Sequence, residues 1–257
     1  MDSTYFTADA AAPDAVITRV TPTQWLAEAG GAVVGSGDVS RRPGPRQFVS
    51  IDAWQPKVFD QLAAAMTPAL PRPLYTLVDA AHADVVSHWE RAGFVVRRRE
   101  WECLLETGNA RYAPPPGVRI EGFGQADEDR IRELDRAIRA EVDADLGWHE
   151  MPFEFFGPDA PGALDPAKYA IATTGGEYVG LIRVVHVARQ AKIGLLAVRR
   201  EHQRQGIGRA LLAHALDALH ARGIDTVFVE VNEANPAAVA QFAGARRISS
   251  NLELVLR

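Results

Sequence analysis

One stretch constrains this chain more than any other. From Arg199 to Leu212 it reads Arg-Arg-Glu-His-Gln-Arg-Gln-Gly-Ile-Gly-Arg-Ala-Leu-Leu. An apolar run precedes it, Ile193-Gly194-Leu195-Leu196-Ala197-Val198. Ile207, Leu211, Ala215 and Leu219, with Leu212 and Leu216, then repeat at helical spacing. The order is strand, glycine-containing turn, helix. The first amides of a helix have no internal partner, and the helix dipole makes that end attractive to anions. Gly206 and Gly208 carry no side chain to block a phosphate, and Arg204 and Arg209 supply charge-assisted donors. The local physics predicts pyrophosphate binding. No Gly-Lys-Ser/Thr follows, so this is not a Walker loop. A dinucleotide fingerprint would need glycine at 211, which is Leu211.

Composition narrows the class. The chain has 257 residues, 47% of them hydrophobic and 24% charged, a globular balance that allows two small domains. A formal net charge of −5 argues against a general nucleic-acid binder. Cys103 is the one cysteine, so no internal disulfide and no cysteine-based metal cluster can form. Histidines with metal-ligand spacing are absent, and no metal is expected. No basic segment followed by an apolar run opens the chain, and no apolar run reaches the ~18 residues of a membrane span. The expectation is a cytoplasmic protein with no membrane partner.

The order Gln203-x-x-Gly206-x-Gly208 after Leu196-Ala197-Val198 resembles the acyl-CoA pyrophosphate loop of the GCN-related N-acetyltransferases, the GNAT superfamily. The resemblance continues through Arg222-Gly223 as helix end, Thr226 to Val231 as strand, and Asn235-Pro236-Ala237-Ala238 as the start of another helix. It implies acetyl-CoA as acyl donor, its pyrophosphate held by Gln203, Arg204, Gln205, Gly206, Ile207, Gly208 and Arg209. Main-chain groups of Leu196, Ala197 and Val198 would pair with the pantetheine arm and steady the thioester oxygen. Asn235 resembles the family residue that bonds pantetheine. Strands on either side of the thioester splay in the family, which makes Glu230 the first candidate for general base, with His149 and His186 behind it. The family's usual general acid is a tyrosine on the last helix. Here Phe242 stands in its place, and that helix is about two residues short before Gly244.

The chain reads as the same fold twice. Trp25 to Glu28, Gly30-Gly31 and Ala32 to Gly35 match Tyr169 to Ala172, Gly175-Gly176 and Tyr178 to Leu181 as β-hairpins. Phe48 to Ala53 matches Ile193 to Val198 as a strand. Helices follow at Pro56 to Met66 and Gly206 to Ala221, then strands at Leu74 to Val78 and Val227 to Val231. Helices Ala83 to Ala92 and Pro236 to Ala243 come next, and strand-like segments Val95 to Leu105 and Ile248 to Leu256 close each half. A repeat this long is a duplicated domain. Arg111 to Gly117, with Pro114-Pro115-Pro116, reads as the linker. The expected fold is α/β (α+β): two GNAT-like domains, 1–110 and 111–257, each a mixed, mostly antiparallel sheet flanked by helices. After Ala53 the first half reads Trp54-Gln55-Pro56-Lys57 with no glycine, so it lacks the pyrophosphate loop.

An amphipathic helix with Ile131, Leu134, Ile138 and Val142 leads into Asp143 to Phe156, which is rich in carboxylates and aromatics. In the family this segment lines the acceptor pocket. Carboxylates and aromatic faces favour a cationic amine. The predicted activity is acetyl-CoA-dependent N-acetyl transfer to a small-molecule amine, in a monomer or a homodimer. Phe242 and the glycine-free first half set up the alternative, an acyl-CoA-binding sensor or scaffold with weakened catalysis.

Overall fold

The computed structural model describes residues 14–41, 46–108, 112–145, 147, 164–187 and 190–257. The chain divides into two compact units, residues 1–100 with 249–257, and residues 101–248.

The first unit holds strands β1 (Val16–Thr21), β2 (Gln24–Ala29), β3 (Ala32–Arg41), β4 (Gln47–Ala53) and β5 (Leu74–Asp79), and helices α1 (Pro56–Met66) and α2 (Ala83–Arg91). Its sheet runs β1-β2-β3-β4-β5-β12-β6, where β6 is Val95–Glu106 and β12 is the chain's last strand, Arg246–Leu256. Gly30 and Gly31 turn the β2–β3 hairpin with φ of 59° and 78°, a left-handed pair that side chains resist. Phe59, Leu62 and Met66 of α1 and Trp89 of α2 pack against Trp25, Val49, Ile51, Leu252 and Leu254. Helix α1 lies close because β3 carries glycine beneath it. A Cβ on Gly37 would stand 2.2 Å from Met66 Sδ, and one on Gly35 would stand 2.9 Å from Val58 Cγ1.

The second unit holds β7 (Val118–Glu121), β8 (Tyr169–Thr174), β9 (Glu177–Val187), β10 (Gln190–Val198) and β11 (Thr226–Asn232), with helices α3 (Glu128–Asp145), α4 (Ile207–His220) and α5 (Pro236–Gln241). Strand order is β6-β11-β10-β9-β8-β7. Two cores lie on opposite faces. Leu211, Ala215 and Leu216 of α4 pack on Ala170, Ala172, Ile182 and Ile193. Ile131, Leu134 and Ile138 of α3 pack on Ile171, Leu181 and Leu195. Because both faces are covered, Tyr169 to Thr173 are buried without alternation.

The hairpins, helices and strands expected from the repeat all form. The closing strands differ from expectation. β6 runs unbroken from Val95 to Glu106, and the unit boundary falls inside it, after Glu100, rather than near residue 110. Ser249 to Leu256 of β12 belong to the first unit, pairing antiparallel with β5 from Asn251↔Asp79 to Leu256↔Leu74. Local patterning marks both segments as strands but carries no information on which sheet a strand joins.

That returning strand brings a charge into the first unit. Glu253 is 1% exposed. Arg98 Nη2 is 2.9 Å from its carboxylate and Arg46 Nη1 is 3.6 Å away, and Arg97 donates to it as well. Arg98 also pairs with Glu100 at 2.6 Å. Removing one partner of a buried charge cluster leaves the others inadequately compensated. Glu253→Ala should therefore lower stability by about 3–5 kcal/mol, and Glu253→Gln, which keeps hydrogen-bonding oxygen, by less. Denaturant titration of the two variants checks both the size and the order.

Candidate functional site

The site begins where two parallel strands part. β10 and β11 pair only at Ala191↔Val227, Lys192↔Phe228 and Ile193↔Val229. β10 then continues to Val198 and β11 to Asn232, with the ladder between them ended. On its other edge β10 stays bound to β9 through Val198↔Gly180. Gly194 is an extra residue in that ladder, which passes from Ile193↔Val184 to Leu195↔Arg183. A bulge of one residue reverses which face each following side chain takes. Ala191 and Ile193 lie in the α4-side core; after the bulge Leu196 and Val198 take that side, while Leu195 and Ala197 turn to α3. Leu196, Ala197 and Val198 thus have one main-chain edge directed to the gap between the strands.

The turn beyond β10 leads to the first turn of α4. Arg199 N–H donates to Val179 O at 2.8 Å, and a single 3-10 turn follows at Arg200–His202. Gln203 folds back, its Nε2 donating to Val198 O at 3.0 Å. Arg204 has φ 60° and is the one non-glycine residue with positive φ among the described residues. Gly206, φ 86°, is the N-cap of α4, and no side chain caps the helix. Ala210 N–H closes the first helical bond on Gly206 O at 3.1 Å. The amides of Ile207, Gly208 and Arg209 come before it and have no intrahelical partner. Left-handed geometry at a non-glycine residue costs of order 1–2 kcal/mol. Tyr112, from the segment read as linker, has its hydroxyl 2.4 Å from where a Cβ on Gly206 would sit. Gly208 is open: a Cβ there meets nothing nearer than Gln241 Oε1 at 3.5 Å.

Glu141 of α3 fixes the near side of the turn. Its carboxylate accepts from Arg199 Nε at 2.6 Å and from the Arg200 amide at 2.8 Å, and Arg200 Nη2 reaches Asp145 at 2.6 Å. Burial pushes the Glu141 carboxyl up, but the Arg199 and Arg200 hydrogen bonds and charges hold it below the usual carboxylate range. Arg199 is raised in turn, first by its bond to Glu141. The tether is thus fully formed at neutral pH and lost only as pH falls through that lowered value. These contacts are more than fifty residues apart in sequence, and composition gave no sign of them.

Glu230 lies one residue beyond the last β10–β11 pair, at the mouth of the gap. Its carboxylate is 2.7 Å from Lys192 Nζ, with side-chain exposures of 22% and 14% respectively. Asn235 caps α5, its Oδ1 accepting from Ala238 N at 3.1 Å. α5 ends at Gln241, and Phe242 packs with the α4-side core. His186, on β9, lines a cleft of about 200 Å³ with Phe123, Lys168 and Arg222. That cleft borders the last turn of α4, whereas the glycine turn opens at its first. His149, and 148–156 of the carboxylate- and aromatic-rich segment, lie outside the described residues. No group of metal-ligating side chains occurs among the described residues, and no helix there is long and apolar enough to cross a membrane.

Residues 130–243 match the sequence model of the Acetyltransferase (GNAT) family. A 70-residue stretch is 39% identical to the ribosomal protein bS18-alanine N-acetyltransferase of Escherichia coli K12, covering 27% of this chain and 47% of that protein. Mycothiol acetyltransferase of Cellulomonas flavigena is 30% identical over 210 residues, 72% of this chain and 58% of that one. The chain therefore spans about half to three-fifths of the length of these two relatives. A tandem GNAT protein from the clavulanic acid biosynthesis pathway shares the fold, with TM-score 0.64 at 15% identity over 96% of this chain and 84% of that one. The parted strand pair and the uncapped glycine turn lie within the 130–243 match, and sequence and fold together make this chain GNAT-like.

Proposed function

We propose that the chain is an acetyl-CoA-dependent N-acetyltransferase acting on a small-molecule amine, and that its second unit alone holds the acyl donor. The carrying observation is the uncapped first turn of α4, reached through Gly206 and Gly208, at the end of a strand whose edge is freed by the β10–β11 parting. In this reading the amides of Ile207, Gly208 and Arg209, with Gln203, Arg204 and Gln205 around them, take the pyrophosphate. The free edge of Leu196, Ala197 and Val198 takes the pantetheine arm, Asn235 stands across from it, and the thioester lies in the gap.

The neutral amine attacks the thioester carbon. A carbon–nitrogen bond forms, the carbon–sulfur bond breaks, and CoA leaves as its thiolate. Glu230, at the mouth of the gap, receives the amine's proton directly or through a water, from within its pair with Lys192. Phe242 is partly buried against the α4-side core and has no proton to give, so the thiolate is protonated from solvent. The amine class is supported by the two relatives, whose names give an alanine N-acetyltransferase and a mycothiol acetyltransferase. An assay of free thiol release, with small amines beside a peptide bearing N-terminal alanine, tests the acceptor. Turnover on the peptide alone would overturn the small-molecule reading, and CoA binding without turnover on any amine would favour the sensor.

In the first unit β4 and β5 also pair at only two positions, Gln47↔Leu74 and Phe48↔Tyr75. There α1 opens with Gln55 as N-cap and Pro56 at N1. Proline supplies no amide at the position where Ile207 supplies one. Calorimetric titration should accordingly give one CoA per chain, and two would show that the first unit also binds.

Gly208→Val is the cleaner probe of the loop. Gly206 is left-handed and faces Tyr112, so any side chain there strains the fold, whereas Gly208 has room for one. Gly208→Val should fold normally and lose CoA affinity by about a hundredfold or more, since its branch fills the approach to the helix amides. Wild-type affinity would refute the loop assignment.

Glu230→Gln keeps shape and removes the titrating group. Turnover should fall by something like the ~10²-fold typical of one general base. The acidic limb of the pH–rate profile should vanish while acetyl-CoA affinity stays near normal. An unchanged limb would move the base to another residue.

A further inference from the structure

Lys192 stands on β10 in the rung before the last, opposite Phe228 of β11. The last rung is Ile193↔Val229, and there the ladder ends. Side chains on a strand alternate between faces. Ile193 and Val229 lie in the α4-side core, so Lys192 and Glu230 both take the opposite, α3 side. They flank the final rung on one face, Lys192 just before it on β10 and Glu230 just after it on β11. Their ion pair, 2.7 Å from Nζ to Oε1, crosses that rung diagonally, with both side chains largely withdrawn from water. The contact ties the carboxylate to the closed arm of the fork, while the strand that carries it runs on into the open part. On β9 the neighbour of Lys192 is Val185, which brings no charge. Arg183, the next residue of β9 on this face, directs its guanidinium over the Tyr169 ring of β8, 5.7 Å from the centroid, and so leans away from β10. Lys192 is the cation that reaches Glu230.

An ion pair withdrawn from water adds little net stability, because desolvation offsets the attraction. What it does supply is geometry. A glutamate on a strand otherwise keeps its rotors, and turnover falls steeply when a reacting group is misplaced by about 1 Å. We propose that Lys192 is a positioning residue for acyl transfer, its ammonium holding the Glu230 carboxylate at the mouth of the gap and aimed at the acceptor's proton. Lys192 keeps its own proton throughout; Glu230 receives the one the amine gives up. The inference rests on the reading of Glu230 as general base.

The test uses the full chain, saturating acetyl-CoA and a panel of benzylamine, tyramine, spermidine and a peptide with N-terminal alanine, read as thiol released. Acetyl-CoA titration counts the competent sites of each variant. Lys192→Met should lower kcat per competent site about tenfold, with the amine KM and acetyl-CoA affinity near wild type. Lys192→Gln should behave alike, and Lys192→Arg, which keeps a cation, should recover most of the loss. The acidic limb of the pH–rate profile should persist in Lys192→Met, because the titrating carboxylate is still there. In a Glu230→Gln background, Lys192→Met should cost less than about a further twofold, as for two residues that act as one unit. Wild-type kcat in Lys192→Met overturns the proposal. So does a loss confined to KM, which would make Lys192 an acceptor-binding residue, or loss of the limb, which would make it the titrating group. Failure of both Lys192→Met and Lys192→Gln to fold or to bind acetyl-CoA would make the pair structural and overturn it as well. Wild-type kcat in Glu230→Gln strikes the base reading itself, and absence of wild-type turnover strikes acyl transfer; the proposal falls with either.

Discussion

The second unit is organised around a parallel pair of strands held together for three residues and then released. Parallel ladders are ordinarily continued wherever both strands run on, because an unpaired buried edge is costly. Here the ladder stops while β10 continues for five residues and β11 for three. The Gly194 bulge belongs to the same constraint. It lets β10 keep its partner β9 while turning its following side chains over, so Leu196 and Val198 rest on α4 and Ala197 on the α3 side. Release on one edge is compensated by anchoring on the other edge and on both faces. Glu141 adds a fourth anchor, gripping Arg199 and the Arg200 amide directly after the strand ends.

The two units show how little separates a fold from a site. Both have a glycine-turned hairpin, a long strand, a helix, and a parallel neighbour that parts early. Their sheets are completed in the same way, by a closing strand. What differs is the first turn of one helix. At α1 the residues are Trp54, Gln55 and Pro56, with Trp54 66% exposed. At α4 they are Gln205, Gly206 and Ile207, with Gly206 left-handed. The first sequence removes an amide and adds bulk; the second leaves three amides bare. Two similar scaffolds can in this way share a core pattern while only one leaves amides bare at its helix start.

Much of this was legible in the sequence, for identifiable reasons. Gly30-Gly31 and Gly175-Gly176 announce hairpins because only glycine takes two left-handed positions cheaply, and both turns have positive φ. The α4 repeat and the glycine turn are local, so they read correctly from spacing alone. β1 was missed because only one of its six residues is even partly buried, which leaves no alternation to detect. The exchange of closing strands was missed because strand pairing is a long-range choice among chemically similar partners. The family resemblance singles out Glu230, but its partner Lys192 lies on another strand and nothing in the spacing joins them.

The distribution of unfavourable features is itself informative. A left-handed arginine at 204 and uncapped amides at 207–209 lie around one helix start. Each alone destabilises the ligand-free protein, and they are concentrated where the core beneath is strongest, on Ile207, Leu211 and Ala215, all at most 1% exposed. An anionic ligand would answer the bare amides. Oxygens at the helix end would satisfy amides that no side chain caps. A protein built this way gains stability from its ligand in proportion to how many of those groups it satisfies at once.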